Sequence, residues 1–395
     1  MGAFDQEWMG MGMIDGWTFG RRPRTRADVL LAVSLGMATS ATGAGGQLPW
    51  NGDAWRTQAE ESRVESHLGR EALFLRNGTA WMDATAFSDG VIEFDLAVSA
   101  EQGFHGVRFR AVDDNNHEHI YLRPHLSGKP DATQYNPIFN GVSSWQLFTD
   151  ARYIQPLVIP TDRWVHVRVG IGGDRVELRL DGGDPIIFPE MVRESVVGPV
   201  GITSSAAPAW FANVQVRPGA DPELSNDAGA PPVDPPAGSV LRWSVSEPFA
   251  EDAVDGVNEL PRSLAAGLRW TLLDSETNGL ANLARVSERS DEGNTVLAAL
   301  TLDSEAARTV AATIAFSDRV RVFLNGRQLY AGADGYASRD YRFLGSVGFF
   351  DTVFLPLRQG KNELWMAVSE DFGGWGVALA LPPDAPISVV DPRGP

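Results

Sequence analysis

Between residues 90 and 216 apolar side chains recur at every second position in short runs, and Gly, Asn or Asp ends most of them. Ile92, Phe94 and Leu96 alternate with Glu93 and Asp95, and the same rule governs 106–111, 117–123, 164–169, 175–180 and 211–216. A period of two puts successive side chains on opposite faces of a strand, which no helix can bury as one stripe. Strands at this spacing, without helical periodicity between them, predict a two-sheet antiparallel sandwich. Residues 319–330, 352–357, 360–368 and 375–381 repeat the pattern, with Asn325-Gly326 as a hairpin signal between alternating runs.

The two stretches are separated by residues 218–238, which hold Pro, Gly, Ala and acids and almost nothing large and apolar. Such a composition cannot bury a core and reads as a semi-extended linker that lets the halves move independently. The predicted architecture is therefore all-β: two jelly-roll β-sandwich domains, 50–217 and 239–384, joined by a Pro/Ala/acidic linker. The tail 385–395 reads as unstructured or surface-draped.

Residues 1–49 form a signal-like or flexible extension. Arg21, Arg22, Arg24 and Arg26 precede an apolar run from Val29 to Ala38, and small residues follow at 41–44. That order is the one a secretory signal has, and the run is too short to span a bilayer. The expected location is periplasmic or extracellular, with no membrane span once the signal is removed.

Charge and cysteine content narrow the partners. The chain carries 33 Lys and Arg against 51 Asp and Glu, a net −18, so nucleic acid and anionic membrane are unfavourable partners. Residues 50–217 and 239–384 are each net −7, so the acidity is spread rather than gathered in one patch. With no cysteine, disulfide frameworks, thiolate metal sites and cysteine nucleophiles are excluded.

The stretch 104–125 is the local exception. With the hairpin turning at Asp114-Asn115, Val107, Phe109, Ile120 and Leu122 face the core. The other face then gathers Arg108, Arg110, His117, His119, Tyr121 and Arg123, with His119 opposite Arg110 and Tyr121 opposite Arg108. Glu93 and Asp95 are expected on the equivalent face of the preceding strand. Outward ions on adjacent strands also make plain cross-strand pairs, so this face has a structural reading beside the functional one. Functionally, planar guanidinium groups, Tyr and His suit glycan hydroxyls or a uronate carboxylate. Gln134 and Trp145, in a loop over the sheet, complete the expected binding set.

Two catalytic versions stay open: His119 and Tyr121 as base and acid of a polysaccharide lyase, or Glu93 and Asp95 as a glycoside hydrolase pair. Asp113, Asp114, Asn115 and Asn116 have the oxygen donors calcium takes, although a polar turn is the plainer reading. No transition-metal site is expected.

Four segments, SDGVIEFDLAV (88–98), GFHGVRFRAVDDNNHEHIYLRPH (103–125), DRWVHVRVGIGGDRVELRLDGG (162–183) and WFANVQV (210–216), resemble the concanavalin A-like (laminin-G-like, family-16-glycosidase-like) jelly rolls. That resemblance implies saccharide held on one sheet face. The family-16 catalytic pattern starts at Glu93 and Asp95, but Ala97 and Val98 follow and Glu101 comes too late, so its Glu pair does not carry over. SDRVRVFLNGRQLY (317–330) and LRQGKNELWMAVSEDFGGWG (357–376) resemble the galactose-binding-like jelly rolls, which implies a glycan-binding or packing module. The expected function is that of an exported bacterial protein engaging an oligo- or polysaccharide. The alternative is a non-catalytic structural or interaction protein built from two jelly rolls.

Overall fold

A computed structural model describes residues 55–336, 338 and 346–390. The signal-like stretch lies outside these residues. Among them the regular structure is nearly all strand, with one short α-helix, Arg262–Gly267, and three single-turn 3-10 helices.

The first half contributes β1 (Arg56–His67), β2 (Arg70–Phe87), β3 (Gly90–Ala97), β4 (Gly103–Asp113), β5 (Asn116–Leu122), β6 (Thr133–Tyr135), β7 (Ile138–Phe139), β8 (Val142–Ser143), β9 (Ile154–Gln155), β10 (Trp164–Gly172), β11 (Arg175–Leu180), β12 (Ile186–Phe188), β13 (Gly198–Ala206) and β14 (Ala209–Pro218). Eleven of them hydrogen-bond in the order β12-β11-β10-β3-β14-β2-β13-β4-β5-β6-β9, with β1 on β2 and β7 on β5 and β8. The long strand β2 joins the two layers: Leu73–Leu75 pair with β14 and Gly78–Phe87 pair with β13. Its alternate residues Leu73, Leu75, Ala80 and Met82 enter one core with Phe94, Phe109, Ile120, Val169 and Phe211. Burying an aromatic or branched side chain there stabilises the fold by about 1.5–3 kcal/mol each.

The second half is a pair of sheets. β16 (Trp270–Asp274), β15 (Arg242–Ser246), β18 (Thr295–Ser304), β23 (Gly360–Ser369), β20 (Arg319–Leu324) and β21 (Arg327–Ala333) form one, in that order. β17 (Ala281–Asn282), β24 (Gly376–Ala380), β19 (Arg308–Ser317) and β22 (Asp351–Leu357) form the other. The Asn325-Gly326 turn joins β20 to β21, with both residues at positive φ. The fold class is thus the expected one, β-sandwich jelly rolls with curled antiparallel sheets.

Two expectations outside the strands need correction. Residues 387–390 are not loose: β25 (Ile387–Val390) pairs along Thr301–Ser304, because β18 leaves backbone donors and acceptors free at that edge. The proline-rich segment is no free tether either. Arg168 donates to the Pro222 carbonyl at 3.0 Å and pairs with Glu223, while the buried Glu177 accepts from the Ser225 backbone N–H (2.8 Å) and hydroxyl (2.7 Å).

The halves also share side chains. Phe139 and Val142 pack into the second core, and Leu280, Ala315, Val347 and Ala378 pack into the first. Arg152, almost fully buried, donates to Glu190 (3.0 Å) and to Thr277 Oγ1 (2.9 Å). Asn140 donates to the Ala284 carbonyl at 2.8 Å. Composition alone hid this junction, since its apolar members are scattered through loops and strands of both halves.

Candidate functional site

The hairpin β4–β5 forms as expected, with Val107, Phe109, Ile120 and Leu122 in the core. Its register differs by two residues: His119 pairs with Arg108, and Tyr121 with Gly106. A bulge between Phe109 and Asp113 is the cause, for it takes up the extra residues before Asp113 pairs with Asn116. A shift of two preserves which face each side chain takes, so the basic and aromatic side survives.

Arg110 leaves that face. It sits in the bulge at φ 49°, fully buried, donating to the Ser88 carbonyl (2.8 Å), the Gly173 carbonyl (2.7 Å) and Asp89 (3.1 Å). Asp89 also accepts from the Gly173 N–H at 2.7 Å, so Arg110 ties two turns together and is structural.

Glu93 and Asp95 are likewise placed elsewhere. β3 pairs with β10 and β14, and three strands separate it from β4. Glu93 is paired with Arg217 (2.6 Å) and Arg168 (3.5 Å). Asp95 accepts from Arg70 and Asn213 and contacts His166 Nδ1 at 3.0 Å. Both carboxylates are engaged by side chains of their own layer, and the structure does not bring them to the hairpin.

What remains is a row of rings along β5. Successive centroids lie 5.6 Å (Trp81–His117), 6.4 Å (His117–His119), 5.0 Å (His119–Tyr121) and 5.7 Å (Tyr121–Phe104) apart. Two glycines make room for it. A Cβ on Gly106 would stand 2.0 Å from the Ile120 carbonyl oxygen, and one on Gly201 would stand 2.7 Å from the Trp81 ring. Trp81 and Phe104 were not singled out from the sequence; the signal for Trp81 was a glycine on a strand whose neighbour was unknown.

At one end the hydrogen bonding is closed. The Tyr121 hydroxyl donates to Gln134 Oε1 (2.7 Å) and accepts from Arg123 Nη2 (2.9 Å). Gln134 Nε2 donates to the Trp145 and Phe148 carbonyls, both at 2.8 Å, fixing the loop that carries Trp145. Burial raises the Tyr121 pKa, with the Arg123 charge opposing.

At the other end it is open. Arg108 Nε and His119 Nε2 are buried without a hydrogen-bond partner among the described residues. Arg108 is half-buried. Desolvation brings its pKa down to about 10, with Asp114 opposing, so it stays cationic at neutral pH. Burial, and then the Arg108 charge, hold His117 and His119 well below the usual imidazole range. Both are therefore neutral, each with one N–H donor and one acceptor nitrogen.

The acidic turn at the end of the hairpin is satisfied by protein. Asp113 Oδ1 accepts from the Asn115 N–H (2.8 Å) and Asn116 Nδ2 (3.0 Å), and Asp114 accepts from Arg56 (3.0 Å) and Gln58 (3.0 Å). Among the described residues, no group of three or more His, Asp or Glu is arranged to hold a metal ion. No helix there is long and apolar enough to cross a membrane.

No protein-family profile matches the chain, and no curated protein matches it. Solved structures do. They include a carbohydrate-binding module, CBM66, from Bacillus subtilis (19% identity over 41% of this chain and 93% of that one, TM-score 0.31). A β-glucanase from Bacillus licheniformis aligns at 11% identity over 45% of this chain and 99% of that one, TM-score 0.31. A protein with a galectin-like fold from Bacillus subtilis aligns at 13% identity, 41% and 88% coverage, TM-score 0.32.

Proposed function

We propose that this is an exported saccharide-binding protein that holds a glycan over the β4–β5 hairpin. The observation that carries the reading is the half-buried Arg108 beside the row of rings, its Nε without a hydrogen-bond partner among the described residues. Leaving a buried polar group unpaired costs about 1–3 kcal/mol, more for a charged one, and a sugar oxygen over the Arg108 guanidinium would supply a partner to that cation. Arg108, a cation whose nearest acid, Asp114, is already paired with Arg56, favours a carboxylate-bearing sugar such as a uronate. The basic run followed by apolar and small residues at 21–44 supports export.

Binding is favoured over turnover. Tyr121 has its hydroxyl engaged as both donor and acceptor, and the carboxylates Glu93 and Asp95 belong to the other layer, paired with Arg217 and Arg70. Titration calorimetry against neutral and uronic oligosaccharides tests the reading. Arg108→Ala is expected to weaken uronate binding about 10- to 100-fold, the worth of one charge-assisted bond. Unchanged affinity in that variant, or no saccharide bound by the wild type, would refute it.

A further inference from the structure

Three aromatic side chains meet where the halves join. Tyr336 and Phe372, both from the second half, are 56% and 59% exposed. Each lies 6.0 Å from Trp145, at interplanar angles of 74° and 61°, and they lie 6.0 Å from one another at 73°. Edge-to-face packing sets the edge of one ring against the face of the next, and the outer sides of Tyr336 and Phe372 stay exposed.

The loop that presents Phe372 is held in place. Asp318 Oδ2 accepts from the N–H groups of Asp371 (2.7 Å) and Phe372 (3.0 Å). Glu370 Oε1 accepts from the Gly374 N–H at 3.0 Å, and the Gly373 carbonyl accepts from the Gln146 N–H at 3.0 Å. Gly373 and Gly374, at φ 111° and 145°, adopt conformations that suit glycine. A large ring kept exposed on so constrained a loop is preorganised to bind.

Size selects the occupant. Three rings with centroids 6.0 Å apart make a patch the width of one sugar ring, far below the roughly 800 Å² per partner of a stable protein interface. Continuity selects it too, since Gln134 bonds both the Tyr121 hydroxyl and the Trp145 carbonyl.

We infer that Trp145, Tyr336 and Phe372 form a sugar-ring stacking subsite that extends the glycan site across the junction onto the second half. This rests on the reading above. Under it the second half is part of the binding surface, and longer glycans gain affinity that short ones do not.

The test is calorimetry with mono- to hexasaccharide ladders of oligogalacturonate and of cello-oligosaccharide, on the full chain. Phe372→Ala and Tyr336→Ala, both at exposed positions, are expected to leave the melting temperature unchanged. They should weaken the longer members about 3- to 10-fold and spare the monosaccharide. Arg108→Ala should weaken every uronate length. If Phe372→Ala and Tyr336→Ala bind all lengths as the wild type does while Arg108→Ala fails, the stacking subsite is wrong and the hairpin site stands. Equal weakening of mono- and hexasaccharide would also overturn it, because the trio would then be no extension. A wild type that binds neither ladder removes both readings.

Discussion

Glu370→Gln is expected to remove a large part of the pH dependence of stability. Glu370 is 1% exposed, with one carboxylate oxygen bonded to the Gly374 N–H and the other without a partner among the described residues. Desolvation, reinforced by the nearby Asp318 charge, raises its pKa from 4.5 to about 8. An acid raised on folding binds a proton in the native state that the unfolded chain has released, so stability falls as pH rises between the two values. The contribution is fully present below about pH 4.5, declines by about 1.4 kcal/mol per pH unit, and is lost above about pH 8. The integrated limit is about 5 kcal/mol.

Other buried groups titrate in nearby windows. Glu118, raised mainly by burial to about 7, acts with the same sign and is finished by then. His105, His117 and His119, lowered by burial, act with the opposite sign and are finished by about pH 6.5. The interval from pH 7 to 8 therefore isolates Glu370 most cleanly. Urea unfolding followed by tryptophan fluorescence, at several pH values on both proteins, reads the difference. The glutamine side chain keeps the acceptor for Gly374, so the variant should gain on the wild type steadily as pH rises. A stability difference that stays constant from pH 5 to 9 would refute the reasoning.

Further outcomes follow from the packing. Arg110→Met should cost about 3–5 kcal/mol in urea unfolding, because Asp89 and two carbonyls lose a buried cation, yet leave saccharide affinity unchanged. Gly201→Ala should displace the Trp81 indole and destabilise by about 1–3 kcal/mol, visible as an altered near-ultraviolet dichroism band. Leu280→Ala should lower stability by about 2–5 kcal/mol, and calorimetry of the wild type should show one cooperative transition for the two halves. Two well-separated transitions would contradict the shared core.

The period-two runs made the strands legible, because alternation over a buried face is a direct physical demand of a sheet. It also separated Val107, Phe109, Ile120 and Leu122 from the ring-bearing side of the hairpin. Long-range pairing was not legible in the same way. The bulge that turns Arg110 inward depends on Ser88, Gly173 and Asp89, which are distant in sequence. The neighbours of Glu93 follow from strand order, which alternation does not encode. Tyr336 and Phe372 lie in loops, where no periodicity marks a residue as exposed, and only the junction brings them to Trp145.

Hydrogen-exchange mapping with saturating oligosaccharide tests the central claim most directly. Slowed exchange in 104–123 and in the loop 142–148, with the Glu93–Asp95 layer unchanged, is the expected result. Protection confined to the other layer, or none at all under saturating oligouronate, would contradict a glycan site on the hairpin.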